Sequence, residues 1–462
     1  MTKLTVSSSV REPAPQVATD YLALADTVAA AIASGRMTPG ARLPPQRTFA
    51  FEHGIAVSTA SRVYGELLRR GLVVGEVGRG TFVAGRGPEA KISTELESHE
   101  TRIDLDYNFP VLPDQSIRIT ASLADLNQNG LDLALRMPTS TQLIEARATT
   151  AAHLSHGRFR PGPNNIVLTA GGKQSIATAL STLVTPGGRI AIEGVTYPSV
   201  KSLAKRLGIT LQPIPIDRDG LVVASLVKAH EAHAVSAVYV QPAMHNPLGV
   251  TLSDTRRAEL ADFAIAAGIP IIEDHVYGFL GDAEPLSVLA PDHCVVIDSL
   301  SKRVTSGLPL GFIVAPMSMR DRLAGTARSG AWAASGYGIA AGVRLMADGT
   351  ARSIETEKRV DAMMRQVRAR EILAGYELRA DPRSYHTWLV LPEPWRSDAF
   401  TAVALRHGVA VTPASAFTVL PGHAPNAVRL AIGAPPFASM VDGLTRLRQL
   451  LETGPDAFDI SE

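Results

Sequence analysis

From Ile103 onward the sequence alternates short β-branched apolar runs with longer stretches of helical periodicity. The runs are Ile166-Val167-Leu168-Thr169, Arg189-Ile190-Ala191-Ile192, Ala237-Val238-Tyr239-Val240, Pro270-Ile271-Ile272-Glu273 and Cys294-Val295-Val296-Ile297. Runs of this kind read as strands buried on both faces, with the intervening helices as cover. The expected body is therefore α/β, with a mostly parallel sheet between helical layers. From about Ala341 the pattern changes to a long charged helix and a smaller α+β part, in which Trp388-Leu389-Val390-Leu391 is one strand. A chain of 462 residues exceeds one ordinary core, so two or three domains are expected.

Composition works by exclusion. A hydrophobic content of 45% with 19% charged residues describes a soluble globular protein. The single cysteine, Cys294, rules out an intrachain disulfide and fits a reducing compartment. There is no run of 18 uncharged apolar residues, and Met1 to Val10 lacks the apolar core of a signal peptide, so a cytoplasmic location is expected. The near-neutral total conceals a basic N-terminus. Residues 1–86 hold ten Lys/Arg against six Asp/Glu, a net +4, which suggests a polyanionic partner.

That basic stretch has its own pattern. Leu24, Val28 and Ile32 share one face of a helix stopped by Gly35. Pro44-Pro45-Gln46-Arg47 opens a second short helix through about Glu52, and Ser58 is a plausible N-cap for a third that ends at Gly71. On the third helix Ala60, Val63, Tyr64 and Leu67 form an apolar face, opposite Thr59, Arg62, Glu66 and Arg69. Leu72-Val73-Val74 and Thr81-Phe82-Val83 read as two strands around a glycine-rich turn. Three helices and a hairpin make a winged helix-turn-helix, whose third helix enters the major groove of double-stranded DNA. The expected domain covers residues 14–84. Residues 85–101, mixing Gly, Pro, Ser and charge, are the expected linker to a body of residues 102–455, with a C-terminal subdomain from about 341 to 455.

In the body, polar groups fall just after the strands, where open α/β sheets place ligands. Thr169-Ala170-Gly171-Gly172-Lys173-Gln174 precedes a helix from Ile176 to Val184, a glycine turn and helix N-terminus suited to an anion. The segments Gln241 to Gly249, Ile272 to Tyr277 and Ser299-Leu300-Ser301-Lys302 follow three further strands. A lysine at a strand end beside two hydroxyls is placed to condense with an aldehyde while the serines hold an anion.

Two resemblances follow. Gly40-Ala41-Arg42-Leu43-Pro44-Pro45-Gln46-Arg47, Gly71-Leu72-Val73 and Gly78-Arg79-Gly80-Thr81-Phe82-Val83 resemble the DNA-binding domain of the GntR family. That resemblance assigns DNA contacts to Arg47, Ser58, Thr59, Ser61, Arg62, Arg79 and Gly80. Where the family's recognition helix often begins with an arginine, this chain reads Ala56-Val57-Ser58-Thr59. The body is similar to fold-type I pyridoxal-phosphate enzymes of the aspartate and kynurenine aminotransferase group. That similarity implies pyridoxal 5'-phosphate as cofactor, with Lys302 condensing with its aldehyde and Asp274 pairing with the pyridine nitrogen. It further implies Asn246 and Tyr277 at the phenolic oxygen, Tyr197 on the ring face, and Gly172, Lys173, Ser299 and Ser301 at the phosphate. Arg429 would clamp the carboxylate of a substrate or effector.

Together the two halves resemble the MocR regulators. The resemblance implies a homodimer in which each DNA-binding domain packs on the partner's body, sensing a small amine or amino acid. A working aminotransferase that carries a DNA-binding domain is the alternative. A DNA-binding protein whose body only dimerises is a third reading. One departure concerns the phosphate: the family usually has Gly-Leu-Arg-Leu-Gly where this chain has Gly307-Leu308-Pro309-Leu310-Gly311. Lys173 is the expected replacement charge, and Arg303 the second candidate, although neighbours on an extended segment point to opposite sides. Conversely, Asn246-Pro247-Leu248-Gly249 is closer to working aminotransferases than to many regulators.

Overall fold

The computed structural model describes residues 21–38, 40–76, 80–83, 102–420 and 422–458. Arg79 and the expected linker, residues 85–101, lie outside the described residues, as does the side chain of Arg69.

At the N-terminus the helices Tyr21–Ala33, Gln46–Glu52 and Val57–Arg69 precede the antiparallel strands Val73–Glu76 and Gly80–Val83. Ala25, Phe49, Val63, Tyr64, Leu67 and Val83 close a small core of their own. Tyr64 belongs to it, with its hydroxyl donating to the Pro44 carbonyl, and burial pushes that phenol up to about 12. Two details differ from the sequence reading. The third helix starts two residues earlier, because Ala56 is the extended N-cap, so Ser58 lies inside the first turn with its side chain exposed. Glu66 is buried rather than on the solvent face: it accepts from Arg70 at 2.8 Å, and Arg70 also pairs with Asp26 on the first helix. The Arg70–Asp26 pair ties the third helix to the first, which periodicity alone does not reveal.

The body is built on seven strands. In spatial order they are Ile166–Thr169, Gly311–Val314, Cys294–Ser299, Ile271–Asp274, Ala237–Val240, Arg189–Glu193 and Thr210–Ile214. All neighbours run parallel except Gly311–Val314, which is antiparallel to both of its partners. Helices cover both faces, and apolar clusters fill the space between the layers and the sheet. The helix Thr350–Ile372 leads to a four-stranded antiparallel sheet of Leu378–Arg379, His386–Val390, Ala427–Ala431 and Thr412–Pro413. The short strand Ile103–Asp104 pairs in parallel with Val409–Ala410, so the start of the body is stitched to its C-terminal part.

The winged helix touches the C-terminal part of its own chain. The Arg396 guanidinium lies 5.4 Å from the Phe82 ring centroid. A Cβ on Gly40 would come 2.7 Å from that of Ala399, so the two surfaces meet where only glycine fits.

Candidate functional site

The parallel strands end on one side of the sheet, and their polar ends converge there. A cavity of about 220 Å³ opens at this point. All nine residues singled out for the cofactor line it: Gly172, Lys173, Tyr197, Asn246, Asp274, Tyr277, Ser299, Ser301 and Lys302. Pro309 lines it as well, together with Phe109, Gln174 and Ser306, which sequence reasoning had not picked out. A larger cleft of about 690 Å³ between the body sheet and the C-terminal sheet contains none of the nine.

At one end the helix Gly172–Leu183 points its N-terminus into the cavity, where first-turn amides have no carbonyl of their own helix to bond. Gly171 has φ 141°, a conformation glycine takes without strain. A Cβ on Gly172 would lie 3.2 Å from Ser299 Oγ, so glycine keeps this end open. Lys173 is exposed at the rim, a single ammonium where the glycine turn meets the cavity.

Lys302 sits in the short helical turn Leu300–Arg303, directly after Cys294–Ser299. Its Nζ donates to the Asn108 carbonyl and lies 3.6 Å from the Phe109 ring centroid. Burial, then the Arg429 charge, bring its amine down to about 7, so near neutral pH much of it is the nucleophilic free base. Arg303, the second candidate for the phosphate, does not line the cavity. Arg303 instead turns into the protein, where Asp298 accepts from it at 2.6 and 3.0 Å and Glu355 at 3.1 Å. Lys358, fully buried beside it, donates to the carbonyls of Lys302 at 3.1 Å and Val304 at 2.7 Å. A cation at the C-terminal end of the turn satisfies carbonyls that the turn leaves unpaired.

At the opposite end, Asp274 is raised by burial, an effect opposed by hydrogen bonds from Tyr239 and Gln241. Tyr239 and Gln241 are two residues apart across the end of one strand, so they present to the same side. A tyrosine within an otherwise aliphatic strand was the available signal for this pair. Asn108, which donates to the Tyr277 hydroxyl at 2.9 Å, gave no signal, since it lies in an irregular segment. Its Nδ2 also faces His386 Nδ1 at 3.3 Å. Burial pushes His386 down to about 3, which leaves the ring neutral, with Nε2 donating to the His245 carbonyl and Nδ1 free to accept.

Arg429 does not line the cavity; it lies behind Asn246, buried. Its Nη1 donates to Asn246 Oδ1 at 3.2 Å, and Nη2 to Thr412 Oγ1 at 2.9 Å and to the Asp106 carbonyl. Of the expected DNA contacts, Arg47, Ser58, Ser61 and Arg62 are exposed on the winged helix and Thr59 is half-buried. The Arg62 guanidinium stands 4.0 Å from the Tyr21 ring centroid, which fixes its direction. Gly80 begins the second strand, and Arg42 folds against it.

Residues 101–444 match the model of the aminotransferase class I and II family, and the chain belongs to that family. Residues 20–83 match the model for bacterial regulatory proteins of the gntR family. Membership of the first family implies dependence on pyridoxal 5'-phosphate in general terms. Among curated relatives, the uncharacterized HTH-type transcriptional regulator YdeF of Bacillus subtilis is 28% identical, over 94% of each chain. The HTH-type pyridoxine biosynthesis transcriptional regulator PdxR of Corynebacterium glutamicum is 28% identical over 63% of this chain and 65% of its own. Among solved structures, a Pyrococcus horikoshii kynurenine aminotransferase is similar in fold, with a TM-score of 0.72, 22% identity, and 80% of this chain and 95% of that one covered.

Proposed function

We propose that this chain is a DNA-binding transcriptional regulator whose aminotransferase-like body holds pyridoxal 5'-phosphate and senses a small amine or amino acid. The observation that carries this reading is the gathering of all nine expected cofactor residues around one cavity, in a chain that begins with a winged helix. The donor set fits the cofactor. A helix N-terminus with Ser299, Ser301 and the Lys173 charge suits a phosphate. Asp274 is an acceptor for a protonated pyridine nitrogen, which would draw its raised pKa back down. Asn246 and Tyr277 are available to the phenolic oxygen, and Tyr197 to a ring face.

When bound, the cofactor supplies an aldehyde that captures primary amines and a ring that withdraws electrons. The chain's own groups do the rest. Lys302, partly unprotonated, would supply the chain's own amine to that aldehyde. Asn108 holds the Tyr277 hydroxyl so that its proton points elsewhere, and the Phe109 ring excludes water beside Lys302. The expected partners are double-stranded DNA and a second copy of the chain. Ile117, Leu133, Leu135, Met137 and Ile144 leave an exposed apolar surface on the body, which supports a homodimer. No helix among the described residues is long and apolar enough to cross a membrane.

The reading is tested by purifying the protein and recording its visible spectrum with and without added pyridoxal phosphate, then assaying multiple turnovers over an amino-acid panel. A cofactor band that Lys302→Ala abolishes, with no sustained turnover, supports a regulator. Sustained transamination would favour the alternative, a working enzyme, for which the Asn246-Pro247-Leu248-Gly249 loop is the specific support.

A further inference from the structure

Both groups expected at the cofactor's phenolic oxygen, Asn246 and Tyr277, have their acceptor side occupied from behind. Arg429 Nη1 donates to Asn246 Oδ1 at 3.2 Å, and a guanidinium can only donate, so the Asn246 amide nitrogen is the part left for the cavity. For Tyr277 the corresponding group is Asn108, whose Nδ2 lies 2.9 Å from the hydroxyl. An amide can present either its oxygen or its nitrogen, and the two choices have opposite consequences. An oxygen would take the Tyr277 proton; a nitrogen gives one of its own and leaves that proton free.

His386 decides between them. Its Nε2 faces the His245 carbonyl at 3.0 Å, and since a carbonyl only accepts, Nε2 carries a proton. The ring is fully buried, with Tyr277, Arg429, His245 and Lys302 around it, and burial pushes it down to about 3, so it carries no second proton. Nδ1 is therefore bare, and the group facing it at 3.3 Å is an N–H of Asn108 Nδ2. Turned the other way, the Asn108 oxygen would meet a nitrogen lone pair. Both Asn108 N–H groups are thus committed, one to His386 and one to Tyr277. Burial raises the Tyr277 phenol, so it keeps its proton, and among the described residues no acceptor takes it. The tyrosine lines the cavity.

We propose that His386 is a positioning residue that acts through Asn108: it makes Tyr277 an obligate donor to the phenolic oxygen of bound pyridoxal 5'-phosphate. This rests on the cofactor reading above. Both protein partners of that oxygen then present only N–H or O–H, which favours its ionised form. His386 exerts the effect while neutral, so replacing it by another neutral side chain changes no net charge at the site.

The test is the pH dependence of the visible band of full-length protein loaded with pyridoxal phosphate, because a hydrogen bond to the ionised phenolic oxygen lowers the midpoint of that titration. Tyr277→Phe is expected to raise the midpoint by about 1 unit or more, the worth of one hydrogen bond to an ionised oxygen. His386→Leu leaves Asn108 free to turn its oxygen to Tyr277, and should raise the midpoint by at least about 0.5 unit. His386→Asn, whose side-chain oxygen can stand near the place of Nδ1 and accept from Asn108, should stay within about 0.2 unit of wild type. Adding His386→Leu to Tyr277→Phe should move the midpoint no further, because the relay ends at the missing hydroxyl. Asn108→Asp puts an oxygen where the N–H stood and keeps the main-chain carbonyl that accepts from Lys302. It should raise the midpoint more in the wild-type background than in Tyr277→Phe, which tests the relay even if the histidine variants do not fold. An unchanged midpoint in His386→Leu, an equal shift in His386→Asn, or shifts of the same size with and without the Tyr277 hydroxyl overturn the proposal. A wild type that shows no visible band with added pyridoxal phosphate overturns the cofactor reading itself, and the proposal with it.

Discussion

The Tyr239 hydroxyl donates to Asp274 Oδ2 at 2.6 Å, and Gln241 Nε2 donates to the same oxygen at 3.0 Å. Two donors on one oxygen oppose the desolvation that raises this buried carboxylate, which lines the cavity. Tyr239→Phe removes the shorter bond. The Asp274 pKa, already raised by burial, should rise further, so more of it is protonated and unable to pair with a pyridine N–H. A charge-assisted bond of about 1.5–3 kcal/mol corresponds to a loss of cofactor affinity of about tenfold or more. The loss should be larger at pH 6 than at pH 8, because falling pH protonates the carboxylate. Apoprotein titrations at both pH values check this, and unchanged affinity would show that Asp274 is not the ring's partner.

Pro309 and Lys173 line the same cavity, at the end where a phosphate would sit. With no arginine at position 309, the Lys173 ammonium is the remaining full charge at the glycine turn. Lys173→Ala should weaken pyridoxal phosphate binding by about tenfold, near 1.4 kcal/mol. Pro309→Arg in that background should restore it. Equal affinity of Lys173→Ala and wild type would show that the helix N-terminus and serines suffice.

Arg303 is buried between Asp298 and Glu355, and Glu355 also faces His153 Nε2 at 2.8 Å. Removing the guanidinium as Arg303→Met leaves two buried acids without their cation. Breaking a buried pair in this way costs about 3–5 kcal/mol. Urea unfolding of apoprotein measures it, and a loss below about 1 kcal/mol would mean the cluster relaxes or fills with water.

The buried lysines carry a pH signature. Burial lowers both Lys302 and Lys358 to about 7 from an ordinary 10.5. Below about 7 both lysines are protonated folded or unfolded, so the cost of burying their charge is full and does not change with pH. Between about 7 and 10.5 the unfolded chain holds more protons, so their contribution makes apoprotein stability rise with pH. Lys302→Met combined with Lys358→Met should flatten that rise. A rise of the same slope in the double variant would assign it to other groups.

Much of this architecture was legible because buried strands write themselves as apolar runs. Ile271–Asp274 and Cys294–Ser299 fell within a residue or two of the expected places, and the polar residues at their ends lie at the cavity. What stayed hidden depended on pairings between distant segments. Asp106 meets Arg429 and Thr412 across more than 300 residues, and nothing local in Asp104 to Phe109 marks that contact. Arg303 was weighed for the phosphate because its direction is decided by Asp298 and by Glu355, which lies on a helix some 50 residues later. Glu66 was misplaced for the same kind of reason, since Arg70, itself paired with Asp26 on the first helix, draws it inward.

The central claim is that chemistry at Lys302 controls the winged helix, and DNA affinity measured with and without ligand tests it most directly. An operator is first selected from random duplexes with full-length protein loaded with pyridoxal phosphate. Its affinity is then measured at fixed salt against amines and amino acids that alter the visible spectrum, for wild type and Lys302→Ala. At least one such compound should change wild-type affinity by about fivefold or more, the lower range of allosteric coupling, and leave Lys302→Ala unchanged. If every compound that alters the spectrum leaves wild-type DNA affinity untouched, or if Lys302→Ala responds as wild type does, the site does not govern DNA binding.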